Sequence, residues 1–391
     1  MMTDLCTDVG HVSMNKHGEQ LCGDHVEVIP GDRHTVAVLA DGLGSGVKAS
    51  ILSTLTSKIL STMIASRLPV EECVETIAAT LPICKERGIA YSTFTIISVN
   101  ENHEAEIIQY DNPRVILLRN GKSWDYPETT ELIGDKRICK TRISIGEGDV
   151  FVALSDGVVH AGIGRSLNFG WQRRDIVSYL EGLYHAGFTA KTISSILLEK
   201  CYNLYGGAPG DDATVCTVKI RRRRPINLLI GPPVNPRDAM KMMALFFAKG
   251  GKHIVCGGTS SALAAEFLKK SLETGNSKYE DPEIPPTAKI EGVDLVTEGV
   301  ITIHRVLEYA RDYLKSNEQC IRWNTGKDGA SQITRLLFEE ATDINFYVGK
   351  AINPAHQNPG LPIGFSIKMR LIDELAACLR EMGKQIKVSY F

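Results

Sequence analysis

The chain has 391 residues, 43% of them hydrophobic and 23% charged, which is long for one domain and ample for the cores of two. Its formal net charge is −2, which excludes nucleic acid or any other partner held by overall positive charge. No apolar run approaches the ~20 residues of a membrane span; the longest candidate, "AMKMMALFFAKGG" (239–251), is short and carries lysines.

The opening stretch, "MMTDLCTDVG", has neither the basic region nor the apolar run of a secretion signal. The ten cysteines form no Cys-x-x-Cys pair. The expectation is buried thiols in a reducing cytoplasm and no zinc site. "HVEVI" (25–29) and "HTVAVLA" (34–40) flank "PGDR" and read as a hairpin. "ASILSTLTSKILSTMIASRL" follows as a helix, with Ile51, Leu52, Leu55, Ile59, Leu60 and Met63 at helical spacing. "VEECVETIAATLPICKER" (70–87) reads as a second helix. Short β-rich runs come next: "STFTIISVN", "EAEIIQYDN", "RVILLRNGK" and "GDVFVALSDG". Two more helical stretches, "RRDIVSYLEGLYHAG" and "AKTISSILLEKCYNLY", precede a closing strand, "DDATVCTVKI". Strand runs segregated from helix runs predict an α+β domain over 1–220, with helices packed on antiparallel sheets.

"KIRRRRP" (219–225) marks a change of pattern. Arg221–Arg224 read as a solvated strand end and linker, or as a docking patch for an acidic or phosphorylated partner. Beyond them, "INLLIG", "HIVCGG", "VDLVTEG", "INFYVG" and "IKVSYF" alternate with five amphipathic stretches. That alternation predicts an open doubly wound α/β domain over 225–391. "SKYEDPEIPPTAKIEG" (277–292) reads as a proline-rich surface loop within it.

The chemistry concentrates where strands end. In "HTVAVLADGLGSGVKAS" an apolar strand runs into Asp41-Gly42 and a glycine-rich turn. The glycines are spaced G-x-G-x-G, out of register with the dinucleotide fingerprint, and no Gly-Lys-Ser/Thr follows. A carboxylate at that point would also repel a bound phosphate. "VFVALSDGVV" repeats the pattern at Asp156-Gly157, while Asp24 in "LCGDHVEV" and Asp211-Asp212 in "GAPGDDATV" lie at strand starts. Any one Asp-Gly is most simply a tight turn. Four such positions from distant segments point instead to oxygen ligands for a hard divalent cation, with glycine allowing a backbone carbonyl to approach.

In this order, "CGDHVEV", "VAVLADGLGSGVKAS", "STFTIISVN", "YDNPRVILLRNG", "ISIGEGDVFVALSDGV" and "GDDATVCTVKI" resemble the metal-dependent protein phosphatases of the type 2C superfamily. More narrowly, they resemble the bacterial SpoIIE-type branch, over about residues 8–220. The resemblance implies a β-sandwich flanked by helices and a phosphoserine/phosphothreonine phosphatase using two Mn2+ or Mg2+ ions to activate water. It implies that Asp41 bridges the ions, the Gly42 carbonyl serves one, and Asp156 and Asp211 serve the other. Asp24 would act through bound water, and Asp212 falls where relatives carry Asn or Asp. Asp41, Asp156 and Asp211 are the implied catalytic residues. The phosphate-binding Arg and the His of eukaryotic relatives have no counterpart here: "HGEQLCGD" lacks Arg, and Leu43 follows Gly42. His25 and His160 lie near the motifs and read as surface or packing residues, leaving the general acid unassigned. The implied partner is a phosphorylated protein.

The resemblance stops near residue 220. In 225–391, "GGTSS" (257–261) offers amides and hydroxyls at a helix start, a site for a small anionic ligand. The other loops beyond strand ends are 231–236, 298–300 and 349–356. The alternative is a module for protein docking or homodimer formation. For the whole chain the two function classes are an active phosphatase with a regulatory second domain and a signalling scaffold that keeps the fold without turnover.

Overall fold

A computed structural model of the chain describes residues 5–31, 34–80, 92–134, 136–274, 287–315, 320–351 and 363–391. Parts of four sequence expectations lie outside these residues: 32–33 of the hairpin turn, 81–87 of the second helix, 277–286 of the proline-rich loop and 352–356 of the last strand-end loop. The structure is mixed α+β, in two compact units, 1–222 and 223–391.

Among the described residues the first unit has eleven strands: β1 (Leu5–Met14), β2 (Asp24–Ile29), β3 (His34–Gly42), β4 (Ser92–Asn100), β5 (Glu104–Tyr110), β6 (Ile116–Arg119), β7 (Lys122–Ser123), β8 (Thr129–Ile133), β9 (Lys136–Ser144), β10 (Val150–Leu154) and β11 (Ala213–Arg222). Its helices are α1 (Gly46–Ala65), α2 (Val70–Thr80), α3 (Asp156–Val159), α4 (Arg173–Leu183) and α5 (Ala190–Leu204). One antiparallel sheet runs β2-β3-β4-β5-β9-β8 and the other β1-β11-β10-β6-β7. Leu39, Ile97 and Ile107 of the first sheet pack with Leu117, Phe151 and Val218 of the second. The outer faces are covered too. Val38, Ile96 and Ile108 meet Leu60 and Ile64 of α1 and Val74 of α2, while Val152 and Val215 meet Ile176 of α4 and Leu197 of α5. Strands buried on both faces need apolar side chains at every position, which is why "HTVAVLA" and "VFVAL" read as unbroken runs rather than alternating ones.

α1 forms as expected, but its helically spaced apolar residues are not all buried. Ile51 and Leu55 are exposed, and Leu52, Ile59 and Met63 only half-buried. The buried face is Ala49, Ser53, Thr56, Ser57, Leu60, Ser61 and Ile64. The cause is close approach to the β2–β3 hairpin: a Cβ on Gly42 would lie 2.1 Å from the Ala49 carbonyl oxygen. Only small side chains fit that gap. The hydroxyls of Ser53, Ser57 and Ser61 are satisfied by donating to the carbonyls of Ser50, Thr54 and Lys58 at 3.1, 3.1 and 3.2 Å, so burying them carries little polar penalty.

The arginine run is the end of β11 and the start of the second unit; Arg222 and Arg224 are exposed, and three of the four arginines also form ion pairs. Arg221 pairs with Asp8 at 3.7 Å and Arg222 with Glu147 at 2.6 Å. Arg223 pairs with Asp343 at 2.8 Å inside the second unit.

The second unit contains β12 (Pro225–Ile230), β13 (Lys252–Cys256), β14 (Glu273–Thr274), β15 (Ala288–Lys289), β16 (Leu295–Thr297), β17 (Asp343–Val348) and β18 (Gln385–Tyr390). Its helices are α6 (Ala239–Phe247), α7 (Gly258–Leu268), α8 (Val300–Lys315), α9 (Cys320–Thr325), α10 (Gly329–Arg335) and α11 (Ile363–Glu381). The sheet order is β14-β15-β16-β13-β12-β17-β18, parallel from β16 to β18, with β14 and β15 as a short antiparallel edge. Ile226, Leu228 and Ile230 of β12 pack with Val306 of α8, Ile333 of α10 and Leu375 of α11. Leu229, on the opposite face of the same strand, packs with Met243 of α6 and Ala264 of α7.

Candidate active site

The two sheets of the first unit bring five aspartates to one end. Asp24 opens β2 and Asp41 lies at the end of β3, and antiparallel register makes them direct partners. On the other sheet β10 pairs with β11, so Asp156, just after β10, and Asp211-Asp212, just before β11, arrive together. Thr214 stitches the ends: its N–H donates to Ser155 Oγ at 2.8 Å, and its carbonyl accepts from the Ser155 N–H at 3.0 Å.

Three of the glycines beside these aspartates, Gly23, Gly42 and Gly157, are closely packed, whereas a Cβ on Gly210 would make only an ordinary contact with Tyr205. A Cβ on Gly157 would lie 2.0 Å from the Asp212 carbonyl oxygen, and one on Gly23 would lie 2.8 Å from Asp212 Oδ2. Gly42 is held by the Ala49 contact already described, and its N–H donates to the Gly23 carbonyl at 3.1 Å. The Gly157 carbonyl accepts from Tyr205 Oη at 2.7 Å. Asp-Gly therefore recurs because two backbones meet behind each carboxylate.

The electrostatics are unbalanced. Asp24 is buried, and neither carboxylate oxygen has a hydrogen-bond partner at normal geometry. Burial, with Asp212 and Asp156 nearby, pushes its pKa up to about 7, against the pull of the Ser155 and Thr214 hydroxyls. Asp41 rises to about 9 through burial and then through Asp24, Asp156 and Asp211. Asp211 is raised by burial and by Asp156. Asp212 accepts the Lys16 N–H at 2.9 Å on Oδ1, while its buried Oδ2 has no partner. Asp24, Asp41 and Asp211, raised by burial and by neighbouring carboxylates, with Lys16 opposing the shift at Asp211, together with the orphaned oxygens of Asp24 and Asp212, fit a set of hard-cation ligands.

His160, read from the sequence as a surface or packing residue, is exposed and lies within the aspartate cluster. Asp156, His160 and Asp211 offer ligand atoms all within 4.8 Å of one another, and His160 Nδ1 lies 3.9 Å from Asp156 Oδ2. Only its place four residues after Asp156, one turn on, hints at this. His25 is a packing residue: its Nδ1 meets Ser57 Oγ of α1 at 2.7 Å, and burial lowers its pKa.

Residues 31–221 match the family described as Stage II sporulation protein E (SpoIIE), which bears out the resemblance read from the motifs; five of the six lie inside the match. No curated protein gives a significant match to the chain. Solved structures with a similar fold include the PP2C phosphatase domain with a fragment of the regulatory domain of SpoIIE from Bacillus subtilis: 20% identity, 56% of this chain and 63% of that one, TM-score 0.48. The phosphatase domain of the same protein in a crystal form without domain swapping gives 19%, 56% and 94%, TM-score 0.44. The RsbU and RsbW domains of a Mycobacterium tuberculosis protein give 16%, 61% and 68%, TM-score 0.49. The chain thus spans less than two thirds of the first of these structures.

Proposed function

We propose that the SpoIIE-type domain in the first unit is a metal-dependent phosphatase acting on phosphoserine or phosphothreonine of a bacterial regulatory protein. In this reading Asp24, Asp41, the Gly42 carbonyl, Asp156 and Asp211 hold two divalent cations, Mn2+ or Mg2+. The observation that carries it is the convergence of carboxylates whose burial and mutual repulsion favour bound protons, which a cation would displace. The family match supports the reaction class. We also read the two packed sheets as the β-sandwich of that superfamily. The second unit is then an open doubly wound module that regulates the enzyme by binding a small anionic ligand or a partner.

When bound, such cations supply Lewis acidity that lowers the pKa of water and offsets charge on phosphoryl oxygens. The residues of the chain divide the remaining work. Asp24 and Asp212 are buried and form the inner side of the cluster, while Asp41 stands opposite Asp24 on β3. Asp156 and His160 are about half exposed and leave that side open to an incoming phosphate ester. The Gly42 and Gly157 backbones hold the two aspartate-bearing turns against α1 and Asp212. A phosphocysteine route finds no support in Cys201 or Cys216, whose thiols burial raises to about 12.

The test is phosphate release from a phosphoserine peptide by the full chain, with Mn2+ and then with EDTA. Turnover that appears with Mn2+ and vanishes with EDTA supports the reading. Full turnover in EDTA rejects it. Bound Mn2+ without turnover on any phosphopeptide favours the scaffold.

A further inference from the structure

A recess of about 360 Å3 lies in the first unit at the end of the sheet that carries Asp41, lined in part by Gln109, Asp111, Asn112, Arg114, Glu128 and Arg137. Along β3, β4, β5 and β9, Leu39, Ile97, Ile107 and Ile143 face the second sheet, while Ala40, Phe94, Tyr110 and Ile138 face α1 and α2. Successive strand residues alternate between faces. Asp41, Thr93, Gln109 and Arg137 therefore fall on the side of the second sheet, away from α1 and α2. Asp41 pairs with Thr93, Phe94 with Tyr110 and Gln109 with Cys139. Continued to the strand ends, that register sets Asp41, Thr93, Asp111 and Arg137 in one row across four neighbouring strands. Three strand spacings of ~4.8 Å place Arg137 about 14 Å from Asp41.

Hydrogen bonds fix the floor of the recess to the Asp41 side of the sheet. Thr93 Oγ1 donates to Asn112 Oδ1 at 2.5 Å, and the side-chain amides of Asn112 and Gln109 both donate to Thr95 Oγ1 at 3.2 Å. Gln109 also clamps the turn after β5, donating to the Pro113 carbonyl at 2.8 Å and accepting the Val115 N–H at 3.1 Å. The charges around this floor differ. Arg114 is engaged, pairing with Asp125 at 2.5 Å and Glu128 at 2.9 Å. Asp111 and Arg137 are both exposed, and neither forms an ion pair, with the other or elsewhere, among the described residues. At a φ of 54° the Asp111 backbone leaves the strand, and the two opposite charges of the row line the recess without meeting.

We propose that Arg137 selects phosphoprotein substrates that carry an acidic residue about four positions from the phosphorylated one, by pairing with its carboxylate at the far side of this recess. An extended chain rises about 3.3 Å per residue, so about four residues span the ~14 Å from Asp41 to Arg137. Asp111 lies between them in the row and keeps the near part of the recess negative, so a substrate carboxylate gains only beside Arg137. This selectivity rests on the phosphatase reading of the first unit.

The test uses the full chain with Mn2+ and two series of phosphoserine peptides, carrying Glu, Ala or Lys four residues before or four residues after the phosphoserine. In one of the series the wild type should hydrolyse the Glu peptide with kcat/KM about twofold to fivefold above the Ala peptide, the worth of an exposed ion pair, and the gain should shrink in high salt. Arg137→Lys should keep that ratio above one, Arg137→Ala should bring it to one, and Arg137→Glu should turn the preference toward the Lys peptide. Equal kcat/KM for Glu and Ala peptides in both series, or the wild-type ratio surviving in Arg137→Ala, overturns the role of Arg137 and leaves the phosphatase reading standing. A wild type that hydrolyses neither the peptides nor p-nitrophenyl phosphate overturns the phosphatase reading, and the selectivity with it.

Discussion

Replacing Asp41 with Asn should stabilise the metal-free protein while removing its activity. Burial and three neighbouring carboxylates raise Asp41 from 3.8 to about 9, which corresponds to roughly 7 kcal/mol of differential free energy between its charged and neutral forms. The folded state keeps a proton that the unfolded chain has lost, so stability falls as pH rises from about 4 to about 9. Asp24 acts in the same direction up to about pH 7. The two titrate together, so removing one recovers part of the total, about 2–3 kcal/mol near pH 8. In a unit of this size that is a rise of about 5–10 °C in Tm. The assay is thermal unfolding of the full chain in EDTA, following the first unit. The gap between Asp41→Asn and wild type should be small at pH 5 and widen by pH 8. A mutant that melts at or below wild type at pH 8, or a gap indifferent to pH, would refute the electrostatic account.

Gly42→Ala drives a methyl group into the Ala49 carbonyl; it should cost about 1–3 kcal/mol and lower Mn2+-dependent turnover, as read by denaturant titration and phosphate release. On α1, Ile51→Ser and Leu55→Ser should change stability by no more than about 0.5 kcal/mol, whereas Ser57→Leu should cost about 1–3 kcal/mol; the reverse ranking would mean that the apolar face is the buried one. His160→Ala should weaken Mn2+ binding roughly tenfold by calorimetry, and unchanged binding would remove His160 from the ligand cluster.

What the sequence made legible follows from burial. β3, β10 and β11 lie between packed layers, so their apolar runs are unmistakable. β8 and β9 escaped notice because "TTELI" is exposed at four of five positions and "KRICKTRIS" is rich in charge. β1 is mostly half-buried at the edge of its sheet and carries no clear period. The serines on the buried face of α1 are not legible as core positions, because their partner is a backbone turn whose close approach at Gly42 favours small side chains. At the site, Asp24, Asp41, Asp156 and Asp211 were visible as strand-end aspartates. His160 was noticed beside the Asp156 motif but not as a ligand, since α3 has only four residues and shows no periodicity.

The most direct measurement of the central claim is Mn2+ binding and turnover together, in wild type, Asp41→Asn and Asp156→Asn. The account predicts two Mn2+ per chain and phosphopeptide hydrolysis in wild type, with both reduced in each mutant although the fold is retained. Hydrolysis at the wild-type rate in both mutants at limiting Mn2+ would contradict it.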